Sequence, residues 1–69
     1  MKLSARNVLK GRVVKVNRGA TTANVKIDVG NGSVVTAAIT VEAVDELKLR
    51  EGDSAYAIIK ASDVIVAKD

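Results

Sequence analysis

The sequence contains no cysteine, histidine, proline, tryptophan or phenylalanine, and Tyr56 is its only aromatic residue. Without cysteine there is no disulfide framework and no thiolate metal site. Without histidine, the usual zinc ligand sets and every histidine-based acid–base device fall away too. One tyrosine cannot build the aromatic platform on which small barrels stack nucleobases. No run approaches the roughly 20 apolar residues that cross a bilayer, and Met1-Lys2-Leu3-Ser4 opens no secretory leader. The expectation is a cytoplasmic protein with neither a membrane nor a nucleic acid as its partner.

What remains is a 69-residue chain, read as one domain over residues 1–69. Its apolar residues are mostly Val, Ala and Ile, each of which buries little area. Chains below roughly 70–80 residues ordinarily need disulfides, a structural metal or self-association to hold them. The composition removes the first and leaves no soft ligands for the second, so self-association is expected. The net charge is +3 and the pI about 9.5. A mildly basic chain of this kind attracts polynucleotides, anionic surfaces or small anions.

The pattern is one of short strands with turn punctuation. Leu9 to Asn17 reads as a first strand, in which Gly11 suggests a bulge or bend. Arg18-Gly19-Ala20-Thr21-Thr22 is a turn. Val25, Ile27 and Val29 then alternate with Asn24, Lys26 and Asp28 along a second strand. Gly30-Asn31-Gly32 suits a tight hairpin, because these residues tolerate positive φ. Ser33 to Ile39 is a third strand, and Thr40 can cap a short helix over Val41 to Leu47. After the turn at Glu51-Gly52-Asp53, strands are expected at Ser54–Lys60 and Val64–Ala67. Five strands with one helix between the third and fourth predict an all-β, OB-like Greek-key barrel, with an SH3-type barrel as the alternative. The third strand and the segment Ile58, Ile59, Val64, Ile65, Val66 are apolar on both faces, which again predicts a subunit interface.

The catalytic inventory is thin. Glu42, Asp45 and Glu46 share the helix and fit a solvated acidic face, no nucleophile sits beside a base, and no glycine loop suits a phosphate. The chain is therefore read as a non-enzyme. Ser4-Ala5-Arg6-Asn7 and Lys60-Ala61-Ser62, by contrast, combine cations, hydroxyls and backbone amides, the donor types that a tetrahedral oxyanion needs. Arg6 and Lys60 taken alone also fit ordinary surface charges.

Ser4-Ala5-Arg6-Asn7 with Leu9-Lys10-Gly11, together with Ala38-Ile39-Thr40, Leu49-Arg50-Glu51-Gly52 and Ile59-Lys60-Ala61-Ser62-Asp63-Val64, resembles the molbindins. These are small Mop-domain molybdate-binding proteins, and the likeness runs from about Leu3 to Val66 and points to the stand-alone form. It implies a homo-hexamer, a trimer of dimers, that stores molybdate or tungstate at subunit interfaces without a catalytic cofactor. Carried over by position, one site takes Ser4, the Ala5 backbone, Arg6, Lys60, the Ala61 backbone and Ser62, with Thr40 supplied by a neighbouring subunit. Asn7 is assigned to positioning the segment. Ala43 departs from relatives that carry a serine there, so this site has one donor fewer, or a backbone N–H or a water in its place. A second site near the three-fold axis would use Gly19, Ala20, Thr21 and Thr22. The alternative function is a small OB-type nucleic-acid-binding module.

With neither histidine nor cysteine, the chain lacks any side chain that ordinarily titrates near neutrality. Oxyanion affinity measured by titration calorimetry should therefore stay nearly constant from about pH 6 to 9. A steep loss between pH 6 and 7 would contradict a site built on Arg6 and Lys60.

Overall fold

A computed structural model describes residues 1–69. Four strands form one antiparallel sheet: β1 (Asn7–Arg18), β2 (Thr22–Gly30), β3 (Ser33–Thr40) and β4 (Ser54–Ile59). The single helix, α1 (Val41–Leu47), joins β3 to β4, and a 3₁₀ turn at Ala61–Asp63 follows β4. The strand order β3-β2-β1-β4 is that of a Greek key: a meander of three strands, with the fourth returning beside the first.

The long strand β1 has two successive partners. It pairs with β4 from Asn7 to Arg12, and with β2 from Arg12 to Arg18. Gly11 sits where one pairing gives way to the other, and a Cβ there would lie 2.3 Å from the Asp28 carbonyl oxygen and 2.8 Å from Ile27. The glycine thus permits a close backbone crossing. The bulge expected at Gly11 falls further along, where the β1–β2 register shifts between Val13 and Lys15.

Alternation decides which face is buried. Ala23, Val25 and Ile27 of β2 are buried and join Val13, Val44 of α1 and Ala57 of β4 in the core. The hairpin at residues 30–32 has positive φ at Gly30, Asn31 and Gly32, as their composition allows. Before β4 the chain is tied back to β1 by Val13 N–H donating to Asp53 O and Gly52 N–H donating to Val13 O, each 2.8 Å.

The fifth strand expected at Val64–Ala67 is absent, and Lys60 stands just outside β4. The chain leaves the sheet at the 3₁₀ turn, so the C-terminal segment adds to neither edge. Ile65 and Val66 are consequently 92% and 88% exposed. An open, largely apolar groove of about 580 Å³ is lined by residues that include parts of β2, β3 and β4. Val35, Ala37, Ile39, Ala55, Ala57 and Ile59 are among the residues that line it. Only six side chains are buried, and the chain exposes 5582 Å². A compact monomer of 7.2 kDa would expose about 4,100 Å².

Replacing Gly11 with Ala should lower the unfolding free energy by about 1–3 kcal/mol in a urea melt, since backbone rather than a flexible side chain fills the space. An unchanged midpoint would contradict this account of the crossing.

Candidate functional site

The β1–β4 ladder ends at the pair Asn7 and Ile59. One step past that pair stand Arg6 on one segment and Lys60 on the other, followed by Ala5 and Ala61, then Ser4 and Ser62. Arg6 and Lys60 therefore flank the last rung, and Ser4, Ala5, Ala61 and Ser62 follow along the two segments that leave the sheet there. Antiparallel partners are about 5 Å apart and each further residue adds at most 3.8 Å. Arg6 and Lys60 can thus reach a common ion.

Arg6 and Lys60 are the cations of this end, and Asp63 of the 3₁₀ turn is the carboxylate nearest to them in sequence. The one salt bridge in the chain joins Arg18 to Asp45 at 2.9 Å, so neither Arg6 nor Lys60 has a carboxylate partner. Both are exposed. The backbone amides of Ala5, Arg6, Ala61 and Ser62 make no hydrogen bond within the chain, whereas Asp63 N–H donates to Lys60 O at 2.9 Å. Two cations, two hydroxyls and free amides can surround an anion, which charge-assisted hydrogen bonds hold firmly.

Asn7 is where the sequence assigned a positioning role, and its Nδ2 donates to the Ile59 carbonyl oxygen at 3.2 Å. The bond joins residues 52 positions apart at the last rung of the ladder.

Thr40 is elsewhere. It is the last residue of β3, pairs with Thr22 at the start of β2, and so sits by the far end of β1. β1 has 12 residues, about 36 Å of contour at 3.3 Å per residue. The register therefore sets Thr40 by the last residues of β1 and Arg6 just before its first. The Thr40 hydroxyl accepts from Ala43 N–H at 3.0 Å, capping α1 as expected and leaving its own proton free to donate.

Gly19, Ala20, Thr21 and Thr22 lie beside Thr40, because Val41 N–H donates to Thr21 O at 3.0 Å. Gly19 N–H closes the turn on Thr22 O at 2.8 Å, while the amides of Ala20 and Thr21 have no partner in the chain. The same end carries a feature that the sequence did not indicate, a cleft of about 470 Å³ lined in part by Arg18, Asp45, Lys48 and Arg50. These residues are scattered along the chain, so no local motif announces them. The Arg18–Asp45 pair is exposed, and such pairs contribute about 0–1 kcal/mol.

Comparison with known proteins covers nearly the whole chain. The model of the TOBE domain matches residues 3–66. A probable molybdenum-pterin-binding protein from Haemophilus influenzae is 52% identical over 66 residues, 96% of both chains. The high-resolution structure of a molybdate-binding protein from Sporomusa ovata superposes with a TM-score of 0.92 at 37% identity, over 99% of this chain and all of that one. The cytoplasmic molybdate-binding protein ModG, solved with molybdate bound, gives 0.90 at 48% identity, over 94% of this chain and 46% of its own.

Thr40→Ala should cost about 1 kcal/mol of stability through loss of the cap, whereas Thr40→Asp, which also caps, should cost little. Thermal melts of the two variants check this, and equal losses would contradict the capping role.

Proposed function

The chain belongs to the TOBE-domain family, as a Mop protein, and from that premise we propose that it binds molybdate, and tungstate with it, between subunits of a homo-oligomer. The observation that carries this reading is the split of the donor set. Ser4, Ala5, Arg6, Lys60, Ala61 and Ser62 stand at one end of the sheet without a counter-charge, and Thr40 stands at the other. Such a set closes only when the Thr40 end of a second chain meets the Arg6–Lys60 end of the first.

Self-association has its own support. The excess exposed area, the apolar groove between β3 and β4 and the bare Val64–Ala67 segment all present surface that a monomer leaves in water. A groove that lacks one strand and a strand that lacks a groove are complementary, so the fifth strand of the barrel comes from another copy. A homo-hexamer built as a trimer of dimers satisfies both needs, with the second anion site at Gly19, Ala20, Thr21 and Thr22 near its three-fold axis. There the unpartnered amides of Ala20 and Thr21 are the donors.

A dianion is held by Arg6 and Lys60, and hydroxyls and amides fix its orientation. Sulfate shares the charge and the shape, so the two ions are told apart by cavity size. An anion that binds only the assembled form stabilises it by mass action. Storage of molybdate in the cytoplasm follows from that coupling, and ModG is itself described as cytoplasmic. The protein acts as a binder rather than a catalyst. The basic charge alone also suits the nucleic-acid alternative, but Tyr56 is the only ring available for stacking.

Native mass spectrometry with molybdate, then with equal sulfate, tests the proposal. The oligomer should gain discrete molybdate masses and no sulfate, and Lys60→Ala should weaken binding by about 2–5 kcal/mol if the interface buries Lys60 against the anion, and by much less if Lys60 is a rim charge. A monomer, or an oligomer that takes up neither anion, would overturn it.

A further inference from the structure

We propose that Asn7 sets the separation of the two cationic halves of the oxyanion site and is thereby a selectivity-determining positioning residue. The inference rests on the reading of Arg6 and Lys60 given above.

The chain makes four side-chain hydrogen bonds, and three of them link residues two or three positions apart. Asn7 makes the fourth, across 52 positions, from a half-buried site. Its place is the last rung of β1 and β4, where both strands leave the sheet and the next residues are two cations. Ladder ends fray, because few contacts oppose their opening. Here repulsion between Arg6 and Lys60 adds to that tendency, and neither makes a salt bridge that would offset it. The amide–carbonyl bond therefore does the work of an extra rung, holding the two segments at one spacing before any anion arrives. A preorganised pair loses less freedom on binding than a splayed one. Spacing is also the property by which an ion-sized cavity tells molybdate from sulfate, so the same bond bears on selectivity as well as affinity.

The test compares wild-type protein with Asn7→Leu, which keeps the bulk but loses the donor, and Asn7→Gln, which keeps the donor. Asn7→Ala serves as a second donor-free variant should the leucine variant fail to fold. Molybdate and sulfate affinities are measured by calorimetry on the folded oligomer of each. A net hydrogen bond corresponds to roughly a two- to tenfold change in an equilibrium, and a loss of that size for molybdate is expected in the donor-free variants. Their molybdate-to-sulfate ratio should fall as well, while Asn7→Gln stays near wild type in both.

Donor-free variants that match wild type in affinity and ratio would overturn the proposal. So would a weaker affinity with an unchanged ratio, since a merely structural role lowers stability without altering discrimination. If wild-type protein itself binds no molybdate, the site reading fails, and this inference with it.

Discussion

One strand carries the architecture. β1 is paired with β4 over its first half and with β2 over its second, so everything else hangs from the point at which it changes partner. That exchange requires two backbones to approach more closely than a side chain permits, and Gly11 removes the obstacle. Because β1 spans the sheet, it also fixes which functional groups meet. Its start delivers Arg6 to Lys60, and its end leads into the Gly19–Thr22 turn beside Thr40. The crossing that makes the fold possible is therefore also what separates the two groups of donors.

The separation gives the chain its incomplete character. Two cations lack a counter-charge, a groove lacks a strand, and an apolar C-terminal segment lacks cover. In the proposed assembly a second copy supplies what each lacks, so that stability and ligand binding would draw on the same contacts and couple the amount of assembled protein to the amount of oxyanion present. A small chain without disulfides or aromatic bulk has few other ways to remain folded.

Local chemistry made much of this legible from the residues. Alternation identified β2 and its buried face, positive-φ residues identified the hairpin, and Thr40 announced the helix that it caps. One expected element is missing. Val64–Ala67 has the pattern of a buried strand, but pattern marks a segment as apolar without saying what covers it, and here it stays exposed. Gly11 was read as a bulge or bend; the bulge lies further along, and what the residue could not announce is the Asp28 carbonyl, 17 positions away in the sequence and 2.3 Å from the glycine's missing Cβ. The candidate site was proposed from residue types, through Ser4, Arg6 and Lys60, and the family resemblance assigned Thr40 to a neighbouring subunit. The register adds what no motif gives, that Thr40 lies by the opposite end of β1 from Arg6.

The central claim is that one chain holds only part of the oxyanion site, and subunit complementation tests it most directly. Lys60→Ala removes one half, while Thr40→Asp retains the helix cap and places a carboxylate where the anion would sit. Each variant alone should bind molybdate poorly. Co-assembled from a denatured mixture, they should form mixed interfaces in which one site combines an intact Lys60 end with an intact Thr40 end, and tight molybdate binding should return. If the mixed oligomers bind no better than either parent, the site lies within a single chain and the account is wrong.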